Sequence, residues 1–429
     1  MKHQIYERLN EQLYHQVLPN GLTVLVVPRP HFQKKLAYFA VNYGSIHRRF
    51  HWQGEVYQVP AGIAHYLEHK MFDLPDQDVS AKLAQLGANV NAFTSYDMTA
   101  YHFSCTQNFE ECLDLLLEFV STPYFTTESV EKERGIIDQE ICMNADIPDS
   151  RVFEMMMEAM YRHHDIRTPI LGTEASIRDI TPELLELCHN GFYTPENMVL
   201  CVVGDVDPQL VSNAAMKRLG PERRPKAQAI PWEGEEMTCP TAFTEAKMEI
   251  SMPTFQLGFK CEPIEDGEPG VRQEIIGDLA AEALFGESSQ LYLELYNGGL
   301  IDSSFGGGFE MADGCAFLTC GGDTHDPRAV RQAILERARV LAEEGVKQED
   351  FLRMKRSALG RRIRELDSFD STCFRMCAYH FSKFDYFCFP GIYESVTVGD
   401  LQEYLSRVVQ EERCTLSVIW PIEEVQSNE

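Results

Sequence analysis

Two features are missing from this chain of 429 residues: a long apolar run and an excess of positive charge. The longest apolar runs, such as 198–203, are far shorter than the roughly 20 residues of a membrane-spanning helix, so no membrane span is expected. The N-terminus, MKHQIYER, also lacks the apolar segment of a secretory signal. A protein that stays in the cytoplasm is therefore expected.

Basic residues are scarce relative to acidic ones. The 38 Lys and Arg residues stand against 66 Asp and Glu residues, which gives a formal net charge of −28. Such a surface repels phosphate backbones, so nucleic acid is not expected as a partner. It attracts basic peptides only as a long-range bias, and it equally serves solubility alone.

Regular cysteine pairing is absent as well. The thirteen cysteines are odd in number and scattered from Cys105 to Cys414. This distribution predicts free thiols in a reducing compartment, which again favours the cytoplasm.

The chain does have an ordinary globular composition, with 44% hydrophobic and 24% charged residues, and it is longer than one hydrophobic core supports. Strand and helix patterns fill residues 1–220, and a proline-rich, charged stretch at 221–244 is typical of a linker. A similar order of elements returns at 245–429. We predict an α+β fold with two similar domains, each a mixed or antiparallel sheet packed with helices.

The segment AHYLEHK at 64–70 contains the pattern H-x-x-E-H on a predicted helix. Residues four apart lie on one helical face, so His65 and His69 can ligate one metal, and the Glu68 carboxylate reaches the same face. The pattern reverses the H-E-x-x-H of zinc peptidases and keeps its chemical parts. Two imidazoles would leave zinc in need of a third protein ligand and a water, whose proton Glu68 would take. An ordinary helix would also explain the histidines, so the rest of the chain must decide.

A second predicted helix, 127–143, supplies carboxylates for this purpose. Glu133 and Glu140 are seven residues apart and lie two turns apart on nearly one face. One of them would ligate the metal while the other holds a ligand from outside. Glu131 and Asp138 form an equivalent pair on spacing alone, and a solvated helix face is the alternative for all four.

Together these segments resemble the pitrilysin/insulinase family of zinc peptidases, the inverzincins, which include the mitochondrial processing peptidase. The resemblance extends over nearly the whole chain and is greatest to the shorter bacterial members with two domains, the YmfH-like group. It implies a metallohydrolase fold of the mitochondrial processing peptidase type. The segments that carry it are GIAHYLEH at 62–69, GANVNAFT at 87–94, ERGIIDQEI at 133–141, FYTPENM at 192–198 and VGD at 203–205.

The resemblance assigns roles to the two helices. It implies Zn²⁺ as the cofactor, with His65, His69 and Glu140 as its ligands, so that 1–220 becomes the zinc-binding catalytic domain and 245–429 a homologous domain without the metal motif. It also implies two further catalytic carboxylates. Glu68 would be the general base, and Glu133 would support a metal ligand from outside.

The resemblance also places a substrate-binding edge strand at Asn91 and Ala92. An edge strand pairs with an extended peptide through main-chain hydrogen bonds and makes few demands on side chains. An ordinary internal strand is the alternative at this position.

One stretch departs from the family pattern. The second domain of family members usually carries an Arg and a Tyr, as in L-R-x-x-x-G-L-x-Y, which donate hydrogen bonds to the substrate carbonyl and its oxyanion. Here LYNGGLID at 295–302 places Tyr296 at the Arg position and Asp302 at the Tyr position. Each lost donor costs about 100- to 1000-fold in rate. The resemblance therefore implies a heterodimer with a homologous subunit that supplies the pair, or else a homodimer.

These observations predict a hydrolase: a zinc metalloendopeptidase that cleaves short or unfolded peptides as the metal-bearing subunit of a heterodimer. The alternative is a non-proteolytic peptide-recognition or scaffold subunit of a peptidase-like complex. The missing Arg/Tyr pair favours this alternative, and the complete metal motif opposes it. A purely structural zinc site is a third interpretation, under which Glu68→Gln leaves function intact.

Overall fold

The computed structural model describes residues 1–75, 77–312 and 314–422, and these residues form two compact units. Unit 1 consists of residues 1–141, 169–231 and 361–389. Unit 2 consists of residues 142–168 and 232–360 together with the described residues from 390 onward. Each unit is therefore assembled from stretches that are distant in sequence.

The predicted domains were continuous, whereas the observed units are not. The chain passes from unit 1 to unit 2 between Pro231 and Trp232, inside the predicted linker 221–244. The segments 142–168 and 361–389 each lie in the unit that the flanking sequence does not form. This exchange depends on packing between distant elements, so no local pattern indicates it. The division into two homologous domains at 1–220 and 245–429 stays a prediction.

The first part of the chain alternates strands and helices. Its elements in chain order are β1 Lys2–Tyr6, β2 Glu11–Val17, β3 Thr23–Pro28, β4 Lys35–Val41, β5 Arg49–Trp52, β6 Glu55–Gln58, α1 Ile63–Met71, β7 Asp73–Leu74, β8 Gln77–Asp78, α2 Val79–Gln85, β9 Asn89–Thr94, β10 Thr99–Cys105, α3 Phe109–Ser121, α4 Thr127–Ala145, α5 Pro148–Met160, α6 Glu174–Arg178, α7 Pro182–Phe192, β11 Met198–Gly204, α8 Pro208–Leu219 and β12 Gln228–Ala229.

The remainder of the chain has longer helices. Its elements are β13 Phe243–Met248, β14 Thr254–Lys260, α9 Glu268–Phe285, α10 Gln290–Asn297, β15 Gly306–Ala312, β16 Cys315–Asp323, α11 Pro327–Glu344, α12 Gln348–Glu365, α13 Phe369–Phe381, α14 Phe389–Ser395, α15 Val398–Val408 and β17 Cys414–Pro421.

Unit 1 is built on a mixed sheet with the strand order β1-β2-β3-β11-β4-β10-β9. Strand β11 runs parallel to β3 and antiparallel to β4. Alternate residues of β4 and β10, such as Phe39 and Tyr101, join the apolar core that includes Leu67 of α1 and Leu116 of α3. Helix α13 packs against β4 and β11. The α+β prediction of sheets packed with helices is therefore confirmed in this unit.

Unit 2 contains a second sheet, in the order β13-β17-β14-β16-β15. Helix α5 packs on β14 and β17, and α9 packs on β15. A Cβ atom on Gly258 of β14 would lie 2.1 Å from Cε of Met160, so glycine permits the close approach of α5. Both sheets thus follow the predicted design.

A carboxylate fixes one loop of unit 2. Glu235 accepts hydrogen bonds from the backbone N–H groups of Arg162, His163 and His164, at 3.0, 2.7 and 3.0 Å, and from Nζ of the buried Lys260 at 2.6 Å. Burial opposes the charge of Glu235, but these donors outweigh it and lower its pKa to about 2. The carboxylate is therefore ionised wherever the protein is folded near neutral pH.

Two general expectations bear on the whole chain. All thirteen cysteines are free thiols, as predicted. Among the described residues, none of the helices combines the length and hydrophobicity that a membrane span requires.

Candidate metal centre

Helix α1 begins at a glycine whose backbone no other residue adopts easily. Gly62 has φ of 86°, and a Cβ atom there would lie 2.4 Å from the carbonyl oxygen of Leu171. The helix therefore starts at Ile63 in close contact with the 171–172 loop. This packing buries most of its next two turns, including His65 and Glu68.

The two histidines of α1 lie together, as their spacing predicts. The ring centroids of His65 and His69 are 4.6 Å apart. His65 is almost fully buried, whereas about a quarter of the His69 side chain is exposed. Both imidazoles therefore occupy one helical face, and the exposed part of His69 leaves this face accessible to solvent.

Helix α4 brings a carboxylate to the same place. Oε2 of Glu140 lies 3.7 Å from Nε2 of His65 and 3.6 Å from Nε2 of His69. One ligand atom from each of these three residues lies within 4.8 Å of the other two. Among the described residues, no other group of His, Cys, Asp or Glu side chains meets this criterion. All three side chains belong to unit 1.

The spacing of these atoms fits a small divalent ion. Zinc bonds to nitrogen and oxygen at about 2.0–2.2 Å, so tetrahedral ligand atoms lie roughly 3.3–3.6 Å apart. The observed 3.6 and 3.7 Å need only a slight closure. Nε2 is the nitrogen of His65 that faces Glu140, whereas its Nδ1 is buried and has no hydrogen-bond partner among the described residues.

The two competing carboxylate pairs on α4 are distinguished by the fold. Oε1 of Glu133 lies 2.9 Å from Nδ1 of His69. Glu131 instead pairs with Arg134 at 2.5 Å, and the three-residue group contains Glu140 rather than Asp138. The pair Glu133 and Glu140 is therefore the one that faces α1. When Nδ1–H donates to Glu133, the lone pair on Nε2 of His69 is available to a metal.

Glu68 lies beside this group and has a partner that the sequence did not reveal. Oγ1 of Thr94, the last residue of β9, donates a hydrogen bond to Oε2 of Glu68 at 2.6 Å. Thr94 falls within the GANVNAFT segment that carries the family resemblance, but nothing in that pattern assigns it a role.

The protonation equilibria of the group follow from burial and charge. Burial, with a smaller contribution from His69, lowers the pKa of His65 to about 3, so its imidazole is neutral near pH 7. Burial lowers the pKa of His69, but Glu133 and the other nearby carboxylates outweigh this and leave it raised. The hydrogen bond from His69 lowers the pKa of Glu133. Burial raises the pKa of Glu68, although the Thr94 hydroxyl opposes it.

The residues expected to bind substrate lie at the edge of the sheet. Strand β9 ends the strand order of unit 1 and pairs with β10 alone within the described residues. Ser95 N–H donates to the Met98 carbonyl at 2.7 Å, and hydrogen-bonded pairs alternate along an antiparallel ladder, so the backbone of Asn91 faces β10 and that of Ala92 faces the open edge. Oδ1 of Asn91 accepts the Ala92 N–H at 2.9 Å.

Tyr296 and Asp302, which stand where the family pattern has Arg and Tyr, make local contacts within unit 2. Tyr296 is about half exposed on α10 and stacks on Tyr292, with ring centroids 5.7 Å apart. Asp302 accepts hydrogen bonds from N and Oγ of Ser304, at 2.8 and 2.6 Å. These hydrogen bonds lower the pKa of Asp302, so this carboxylate is charged and cannot donate to an oxyanion.

Comparison with known proteins supports the family resemblance. Residues 54–174 match the family described as Insulinase (Peptidase family M16), and residues 179–358 match the Peptidase M16 inactive domain. The uncharacterized zinc protease YmfH of Bacillus subtilis (strain 168) is 37% identical over 423 residues, which cover 97% of this chain and 98% of that protein. The chain therefore belongs to the insulinase family, peptidase family M16. The zinc protease YmxG of the same strain is 28% identical over 46% of this chain and 49% of its own length.

Solved structures share the fold. An M16-like peptidase from Alicyclobacillus acidocaldarius superposes with a TM-score of 0.92 and 31% identity, over 96% of this chain and 99% of that one. A chain of Complex III2 from Candida albicans has a TM-score of 0.75 over 95% of both chains, at 12% identity. This second likeness concerns the fold alone. The predicted family and α+β fold are both confirmed.

Proposed function

We propose that this protein is a zinc-dependent endopeptidase of the cytoplasm that cleaves short or unfolded peptides. The observation that carries the proposal is the approach of Glu140 to within 3.7 Å of both His65 and His69. Glu68 lies on the same helix as the two histidines. The family membership and the relatives named zinc proteases support the same conclusion.

The residues of this chain divide the work. His65, His69 and Glu140 would hold the ion, and Glu133 would keep Nδ1 of His69 protonated so that Nε2 faces the metal. When bound, zinc supplies Lewis-acid chemistry, which polarises a carbonyl group and acidifies water. Glu68 would accept the proton of the attacking water and then pass it to the amine that leaves.

Strand β9 would bind the peptide. Its outward-facing backbone groups at Ala92 are able to form main-chain hydrogen bonds with an extended chain, and such pairing reads few side chains. The Asn91 side chain, which covers the Ala92 N–H in this structure, would have to release it. This arrangement suits unfolded peptides because a folded substrate has few free strands to offer.

A homologous partner subunit would complete the enzyme. Neither Tyr296 nor Asp302 replaces the Arg/Tyr pair, since one is stacked on Tyr292 and the other is a carboxylate bound to Ser304. We propose that a related chain without the H-x-x-E-H motif supplies both donors in a heterodimer. A homodimer is the alternative assembly, although two identical chains would both lack the pair.

The deciding experiment compares the wild type with Glu68→Gln, each purified alone and co-expressed with a related chain that carries the Arg/Tyr pair. We expect cleavage of a quenched fluorescent peptide mainly by the wild-type pair, a loss of about 100- to 10,000-fold in Glu68→Gln, and equal zinc content in both. Full activity of Glu68→Gln would overturn the proposed chemistry. Equal activity of the single chain and the pair would overturn the heterodimer.

A non-proteolytic recognition or scaffold subunit is the second candidate, and the charged Asp302 is the observation that favours it. Under this function the pair would bind peptides without cleaving them, and Glu68→Gln would bind them as well as the wild type does.

A further inference from the structure

Thr94 connects two parts of the proposed site. Its hydroxyl donates to Oε2 of Glu68 at 2.6 Å, and its backbone belongs to the last residue of the edge strand β9. Glu68 is only 8% exposed, so few water molecules are available to replace this donor. Among the described residues, no other side chain donates a hydrogen bond to the Glu68 carboxylate.

The hydroxyl of Thr94 packs against a buried neighbour, Thr99. Oγ1 of Thr99, opposite Thr94 in the β9–β10 ladder, lies 3.4 Å away. Thr99 is fully buried and donates to the carbonyl oxygen of Tyr43 at 2.8 Å. Rotation of the Thr94 side chain away from Glu68 would therefore give up both this hydrogen bond and the packing contact with Thr99.

The backbone N–H and C=O groups of Thr94 point away from β10. The alternation that directs the Phe93 backbone to β10 directs the N–H and C=O groups of Thr94 to the open edge, as for Ala92. A peptide that adds to β9 would thus pair beside the residue whose side chain holds Glu68.

We propose that Thr94 is a positioning residue for the general base and that it couples peptide pairing at β9 to the orientation of Glu68. The inference rests on the proposed function and deepens it. The Thr94 hydroxyl occupies Oε2, which leaves Oε1 to accept the proton of the water. Peptide pairing would restrain the Thr94 backbone and thereby the carboxylate, so the base would be aligned when a substrate is present.

The test compares Thr94→Val, which keeps the shape and loses the donor, with Thr94→Ser, which keeps the donor. Thr122→Val is a matched control because Thr122 is exposed at the end of α3 and lies outside the site. In the active assembly we expect Thr94→Val to lower kcat about 10- to 100-fold with KM within twofold, because misplacing a catalytic group costs this much. Thr94→Ser and Thr122→Val should stay within threefold of the wild type.

A second readout does not depend on turnover. After removal of metal with a chelator, the affinity for a fluorescent peptide is measured by anisotropy, and thermal unfolding of each variant is recorded. We expect Thr94→Val to bind the peptide as the wild type does, because the inference assigns the side chain to the base and only the backbone to the peptide. Thr94→Ala serves as a second donor-free variant if valine disturbs the strand.

The outcomes separate the inference from the function on which it rests. Two results would overturn the inference: a wild-type kcat in Thr94→Val, or a loss in Thr94→Ser equal to that in Thr94→Val. If Glu68→Gln is inactive in the same assay, the proposed function still stands. A loss that falls on peptide affinity alone would also overturn the inference. Full activity of Glu68→Gln would overturn both.

Discussion

Nδ1 of His69 lies 2.9 Å from a carboxylate oxygen of Glu133, although the two residues are 64 positions apart. The contact joins α1 to α4 and determines which imidazole nitrogen is free. Because Glu133 accepts from Nδ1, Nε2 is directed at Glu140, 3.6 Å away. A single hydrogen bond between two helices thus prepares one of the three proposed ligands.

Loss of this hydrogen bond should weaken the metal site without abolishing it. We expect Glu133→Gln to lower the affinity for zinc about 10- to 100-fold, since a ligand that loses its outer partner loses orientation and basicity. Competition with a chromophoric chelator measures the affinity. Glu128→Gln, exposed in the first turn of the same helix, should bind zinc normally. Equal affinity of Glu133→Gln and the wild type would contradict the role given to this carboxylate.

Removal of a proposed ligand should release the metal. We expect about one zinc per wild-type chain and little or none in Glu140→Gln, because two imidazoles alone do not form a closed zinc site. Mass spectrometry of the dialysed protein measures the content. Glu131→Gln is the matched control, because Glu131 pairs with Arg134 on the same helix. Zinc retained in Glu140→Gln and lost in Glu131→Gln would show that the other carboxylate pair forms the site.

Blocking the open edge of β9 should impair peptide binding and leave the metal in place. Ala92→Pro removes an N–H that faces outward, a position where an edge strand tolerates proline. We expect KM to rise about tenfold, the worth of one hydrogen bond of roughly 1.4 kcal/mol, with zinc content unchanged. Ala92→Ser retains the N–H and should behave as the wild type. An unchanged KM in Ala92→Pro would rule out pairing at this residue.

The Glu235 carboxylate should make unit 2 sensitive to acid. Its pKa is about 2 in the folded protein and near 4.5 when unfolded, so its contribution is complete above pH 4.5 and disappears as the pH falls toward 2. We expect Glu235→Gln to lower the free energy of unfolding by roughly 3 kcal/mol at pH 7, since it leaves Lys260 buried without its anion.

Thermal melts of the same variant across the pH range provide the check. The difference in melting temperature between the wild type and Glu235→Gln should shrink between pH 4.5 and pH 2. Glu236→Gln should have no effect, because Glu236 is exposed and offers Lys260 only its backbone carbonyl. A difference that stayed constant with pH would contradict the assigned pKa.

Local patterns predicted the elements that carry the site. The helix expected at 127–143 is observed as Thr127–Ala145, and the predicted helix that carries residues 64–70 is observed as Ile63–Met71. Helix α1 is buried except at His69, and α4 buries Val130 and Ile137, which lie seven residues apart on nearly one face. The apolar spacing that predicted each helix therefore reflects its packing. The hairpin of β1 and β2 was not predicted, since Lys2–Tyr6 is largely polar and its pairing with β2 depends on register.

Tertiary contacts explain what the sequence could not show. Glu131 and Glu133 are equivalent in spacing, and only the approach of α4 to α1 selects Glu133 as the partner of His69. Thr94 is one of many hydroxyl residues, and its contact with Glu68 exists because β9 packs beside α1. These partners are selected by tertiary packing, which the local sequence pattern does not indicate.

Helix α13 has a consequence for how the chain is made. When the ribosome has released residues 1–231, every proposed ligand has been synthesised, yet the helix that packs on β4 and β11 has not. The nascent first unit must wait for residue 389 with an apolar sheet face uncovered, a state that favours aggregation or chaperone binding. A recombinant fragment that stops at the linker would inherit the same exposed face, so functional work calls for the intact polypeptide.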